Sequence, residues 1–191
     1  MSFIASLPLR CQARLPALSI SAALLFGACS PSLNWRETRI ADTDLAAMMP
    51  CKPAHHQRTV PLAGLTVTLQ MTACDADGAT FAIAHASIPD GSTPSRVLAE
   101  WRKTTLSNMN AKSVREARDV AESPATPAPQ PGTSMLSIAQ GQRGDGSPVT
   151  LHGVWFARGT QVFQAAVYAP AQAQKVTTAT IEPFFSGLKF Q

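Results

Sequence analysis

Thr66-Val67-Thr68-Leu69-Gln70-Met71 alternates strictly between polar and apolar side chains. Successive side chains of an extended chain point to opposite faces, so period two describes a strand with one face against a core. An amphipathic helix would instead repeat its apolar residues three and four apart. Val67, Leu69 and Met71 are therefore expected to face inward. The rest of the chain must then supply strands to pair with this one and a layer to cover it.

The neighbouring sequence supplies both. Arg58-Thr59-Val60-Pro61-Leu62 reads as an edge strand, because Pro61 has no N–H to give to a central ladder, and Gly64 marks the turn after it. Cys74-Asp75-Ala76-Asp77-Gly78 is turn chemistry, with Asp-Gly providing the positive φ of a tight hairpin. In Thr80–Ala86, Phe81, Ile83 and His85 share one face. Ala82, Ala84 and Ala86 share the other, which is small enough to lie under a helix. Upstream, residues 33–40 alternate loosely as a first strand, and Leu45–Met49 is an apolar strand or helical turn ended by Pro50.

Thr93-Pro94 is a helix start, with Thr as N-cap and Pro at the first helical position. Leu98, Trp101, Thr105 and Met109 recur at spacings of three and four, which predicts a helix over 94–110 with that stripe on the core. Arg96, Glu100 and Arg102 are expected to point elsewhere. The Pro-rich loop 123–133 reads as a stiff excursion. Three further strands follow: residues 135–139, 149–157 and 161–168, joined by Arg143-Gly144-Asp145-Gly146 and Arg158-Gly159-Thr160. Ala171–Ile181 reads as a second helix, broken or restarted at Pro183 and docked by Phe184 and Phe185, and Leu188-Lys189-Phe190 as an extended tail. The expected fold is α+β: one domain over 33–191, an antiparallel sheet of about six to seven strands packed by two helices.

The N-terminus concerns address rather than fold. Arg10 and Arg14 precede an apolar run, Leu15–Phe26, of signal-peptide length and too short for a permanent span of a ~30 Å hydrocarbon core. The run ends in Phe26-Gly27-Ala28-Cys29. Small residues just before a cysteine resemble the bacterial lipobox, whereas the bulky Phe26 does not suit the cleavage site of ordinary secretion. The resemblance implies a signal peptide over 1–28, a diacylated thiol at Cys29 and a short tether over 29–32. Two acyl chains hold a protein on a membrane where one does so only marginally. Ser30 after the cysteine resembles the sorting signal for an outer-membrane destination facing the periplasm. Without Arg10 and Arg14, 14 basic side chains face 12 acidic ones, and no Lys/Arg-rich run remains, so no nucleic-acid partner is expected.

With Cys11 in the leader and Cys29 carrying lipid, Cys51 and Cys74 remain in a compartment that oxidises thiols. A leftover pair there reads as a disulfide. A sharper alternative exists. Met48, Met49, Cys51, His55 and His56 crowd one short segment, and thioether, thiolate and imidazole are the soft ligands that select copper. Against it stands the plain reading of a disulfide beside two exposed histidines, with the methionines in the core. Likewise, His85 is either a lone functional group or a hydrogen-bonded histidine near a strand end, and Trp101 either a ligand platform or a core anchor.

Taken together, a strand meander, a helix, a Pro-rich excursion, three antiparallel strands and a terminal helix ending in Phe184-Phe185-Ser186-Gly187-Leu188 resemble the PsbP-like α/β/α sandwich. Arg158-Gly159-Thr160-Gln161-Val162-Phe163 carries most of the likeness, which covers roughly residues 33–191. Proteins of that fold are mostly accessory or binding subunits on membrane complexes, or envelope lipoproteins, and the resemblance implies such a role here.

The sequence holds no Gly-x-Ser-x-Gly elbow, no His-Glu-x-x-His and no phosphate-cradling loop. Gly141–Gly146 is Gly-rich but lies between strands. Asp42/Asp44 and Asp75/Asp77 read as solvated turn formers, and Asp75, Asp77 and Asp90 lack the spacing of a Ca²⁺ loop. The expectation is a non-enzymatic accessory or binding module of the cell envelope, with no cofactor and with an envelope protein as its partner. A soft-metal carrier and a hydrolase without a recognisable motif are the alternatives.

Overall fold

The computed structural model describes residues 33–117, 135–172 and 178–191. They belong to one compact unit. The strands are β1 (Arg36–Arg39), β2 (Leu45–Met49), β3 (Ala54–Leu62), β4 (Leu65–Ala76), β5 (Ala79–Ser87), β6 (Ser113–Ala117), β7 (Met135–Gln142), β8 (Pro148–Arg158), β9 (Gln161–Pro170) and β10 (Lys189–Phe190). The helices are α1 (Pro94–Asn108) and α2 (Thr178–Ser186). The signal peptide, tether and Pro-rich loop fall outside the described residues.

Seven strands form an antiparallel sheet in the order β3-β4-β5-β9-β8-β7-β6. Turn chemistry sets its register. Ala63-Gly64 and Asp77-Gly78 both place their two residues at positive φ, the type I′ geometry whose twist matches a hairpin, and Gly159 at φ 59° opens the β8–β9 turn. β5 is followed by α1 and then by β6 at the opposite edge, so the chain must cross the sheet, and α1 lies over β8 and β9 as it does so.

Both faces of the sheet are covered. On the α1 face, Val97, Leu98, Trp101 and Met109 pack with Ala84, Ala86, Leu151, Trp155, Val162 and Ala166. The alanine face of β5 thus lies in the layer that receives α1. Gln164 Nε2 donates to Thr105 Oγ1 at 3.3 Å, and Arg102 Nε to Ser137 Oγ at 2.8 Å. Arg102 therefore reaches the sheet, contrary to its expected outward position, because its long stem spans from the helix flank to β7. Gly153 is required by Trp155: a Cβ there would lie 2.7 Å from the indole Cη2.

The opposite face carries Phe81, Ile83, Val154, Phe156, Phe163, Ala165 and Val167. These are roofed by Ile40, Leu45, Ala47 and Met49 together with Ile181, Phe184 and Phe185 of α2. The roof is a second sheet, β1-β2-β10, which the sequence did not announce as a separate layer because two of its strands are only four and two residues long. β6 was likewise unforeseen, being a short edge strand with a weak pattern. Of the expected helix 171–181, residues 178–181 are helical. Ala171 and Gln172 lie in a turn, 173–177 lie outside the described residues, and the helix runs through Pro183 to Ser186. Buried Ile181, Phe184 and Phe185 supply the burial that outweighs the backbone bond lost at proline.

Cys51 and Cys74 form a disulfide, with Cα atoms 6.0 Å apart and a sequence separation of 23. It ties the chain leaving the small sheet to β4 of the large one. Closing a loop of this size stabilises by roughly 3 kcal/mol through the denatured chain. Reduction is expected to lower Tm by roughly 6–12 °C for a domain of this size, read by thermal denaturation with and without reductant. An unchanged Tm would deny the bond its structural role.

Candidate functional site

One stretch of the second core is polar. The β3–β4 register sets His55 beside Thr72 and Gln57 beside Gln70, and the β4–β5 register sets Gln70 beside His85. Alternation puts all five on the roofed face. There the turn Ala41–Asp44 closes the small sheet and leaves a cleft of about 180 Å³ lined by Ala41, His55, His56, Gln57, Gln70, Met71, Thr72 and His85.

The turn is held at several points. Gln70 Nε2 donates to Asp42 Oδ2 at 3.0 Å, and Gln161 Nε2 to the Asp42 carbonyl at 2.9 Å. Arg158 pairs with Asp44 at 3.7 Å while its guanidinium lies 4.7 Å from the centre of the Phe190 ring. Asp42 has φ 58°, a left-handed conformation that Asp tolerates through local hydrogen bonding.

His85, 4% exposed, is stacked on Phe163 with ring centroids 5.9 Å apart. Burial pushes its imidazole below the ordinary histidine value, opposed by the Asp42 carboxylate and a hydrogen bond with the Ala41 backbone. The outcome is the hydrogen-bonded histidine rather than a free functional group. His55 Nδ1 and Thr72 Oγ1 lie 3.1 Å apart. Among the described residues no carboxylate hydrogen-bonds His55, so the pair lacks the third group that would orient a base toward a nucleophile. The cleft offers the hydrogen-bonding side chains of His55, Gln57, Gln70 and Thr72, which suits binding of a polar group.

His152, on the same face but nearer the other edge, is also held below its ordinary value, by burial and then by the Arg115 charge. Both histidines resist protonation in the folded chain, whereas in the unfolded chain they take a proton near the reference value of 6.5. The unfolded state then binds more protons as pH falls. Stability is expected to be full above about pH 6.5 and to decline below it. Denaturant midpoints between pH 5 and 7.5 test this, with His85→Gln and His152→Gln each expected to flatten the profile. A midpoint that rises toward pH 5 would contradict it.

The five soft-ligand candidates are not brought together. Met49 is fully buried in the core, and Cys51 is bonded to Cys74. Met48 packs at Gly187, where an added Cβ would sit 2.5 Å from its Cγ. His55 and His56, adjacent on β3, project to opposite faces of the sheet. Among the described residues no three His, Cys, Asp or Glu side chains cluster as a metal site, Asp75, Asp77 and Asp90 included. Asp75 instead accepts from Thr80 at 2.6 Å. Trp101 is 6% exposed, in the core rather than on a surface platform. Sequence reasoning missed Asp42, Gln57, Gln70 and Thr72. The polar positions of β4 looked solvent-facing because the alternation did not reveal a second roof.

Among the described residues no helix is long and apolar enough to cross a membrane. No family model matches the chain, and no curated protein matches it. Among solved structures, a protein of unknown function, PA94, from Pseudomonas aeruginosa aligns over 78% of this chain and 90% of its own, at 14% identity and a TM-score of 0.34. A likeness at that level carries no argument about fold or function.

Proposed function

We propose that the chain is a bacterial cell-envelope lipoprotein, anchored by lipid on Cys29 on the periplasmic side of the membrane, most simply the outer one. Its folded domain serves there as a non-enzymatic accessory or binding module. The observation that carries the address is Phe26-Gly27-Ala28-Cys29 at the end of a short apolar run that follows Arg10 and Arg14. The Cys51–Cys74 bond supports it, since structural disulfides persist in oxidising compartments and are rare in the cytosol. The binding role is supported by a polar cleft lined by the hydrogen-bonding side chains of His55, Gln57, Gln70 and Thr72. We further place the domain with the PsbP-like sandwiches. The support is its layering of α1, a seven-stranded antiparallel sheet, and a third layer containing α2.

Cys29→Ala is expected to abolish acylation and to leave the leader uncut, because cleavage before residue 29 depends on the lipid-bearing cysteine and Phe26 does not suit the ordinary site. Intact mass of the variant checks this. A Cys29→Ala protein that is still cut before residue 29 would count against lipidation.

A further inference from the structure

β3 is one edge of the large sheet, and of the devices that usually blunt an edge it carries only the charge of Arg58 and Pro61 near its end. It is nine residues long, paired to β4 at every position without a bulge, exposed from Ala54 through Thr59, and free of lysine. The two-residue turn Ala63-Gly64 makes Leu62–Leu65 a hydrogen-bonded pair, so the even positions of β3 bond inward to β4. The backbone groups of His55, Gln57 and Thr59 then point out of the sheet. Pro61 falls in the outward set, where its missing N–H costs nothing, which agrees with this phase.

We propose that β3 is a docking edge for an extended acidic segment of a partner protein, added to the sheet as an eighth, antiparallel strand. Charge selects the occupant. From Leu45 to Cys74 the chain has no Asp or Glu, while Lys52 lies beside the edge and Arg58 on it. A second copy is disfavoured where two β3 strands cross at Arg58, which sets arginine against arginine. Main-chain bonds from the outward residues hold the segment, and alternate side chains select it. On one face they extend the Gln57–Gln70–His85 row and lie over the mouth of the cleft; on the other they meet His56 and Arg58. This rests on the binding-module reading but not on the lipid anchor, so Cys29→Ala leaves it standing.

The test uses the full chain in detergent with a seven-residue peptide alternating Glu and Val, and a Lys/Val peptide for comparison. The Glu peptide is expected to bind and to slow amide exchange at His55, Gln57 and Thr59, with no change at the inward-bonded His56 and Arg58. Gln57→Pro removes one outward donor without touching the β4 ladder and is expected to weaken binding about tenfold or more. Should that variant unfold, Arg58→Glu decides: it is expected to shift preference toward the Lys peptide by about threefold or more. Three results would overturn the proposal: no binding of the Glu peptide, binding without slowed exchange at the three amides, or concentration-dependent self-association that protects them with no peptide present.

Discussion

Phe163→Ala is expected to destabilise the domain by about 3–5 kcal/mol, the range for deleting a large aromatic ring from a core that relaxes only partly. Phe163 is fully buried in β9, near the middle of the large sheet. Its ring lies 5.0 Å from Phe156 in a stacked arrangement, 5.6 Å from Phe190 of the small sheet edge-on, and 5.9 Å from His85. Truncation therefore opens a cavity, removes a contact between the two sheets and takes away the ring on which His85 of the cleft is stacked. The measurement is the urea midpoint at constant m-value. A loss under about 1 kcal/mol would mean that the layers are not joined there.

Trp101→Ala is expected to cost a similar amount, about 3–5 kcal/mol, through the other face. Trp101 lies in the same cluster as Leu98, Trp155, Val162 and Ala166, and is the largest side chain that α1 buries. Its N-cap Thr93 makes no side-chain capping bond, its first turn has no acid and its last turn no base. Stability of α1 thus comes from packing rather than from its ends. For a domain of this size the loss corresponds to a fall in Tm of roughly 6–20 °C. A neutral result would make Trp101 a surface residue and reopen its reading as a ligand platform.

The parts of the fold legible in the sequence are those with a local cause. Alternation in β4 and β5, the Asp77-Gly78 turn, and the spacing of Leu98, Trp101, Thr105 and Met109 each fix structure within a few residues. Even there, Val67 is buried while Met71 is 37% exposed, because strand periodicity names a face but not how far its cover extends. The rest depended on distant partners. The small sheet gains its third strand when Lys189 and Phe190 return to pair with Ala46 and Leu45, and two residues carry no periodicity. The described part of α2 holds its buried anchors Ile181, Phe184 and Phe185 across Pro183, since burial outweighs intrinsic propensity. The cleft was hidden for the same reason: Asp42 reads as a solvated turn residue until Gln70 and Gln161 are found bonded to it.

The address of the protein is tested most directly by the intact mass and N-terminal residue of the chain purified from native membranes. The account predicts a polypeptide that begins at Cys29 and carries the mass of a diacylglyceryl group and an N-linked acyl chain. A chain that begins at any other residue, or at an unmodified Cys29, would contradict it.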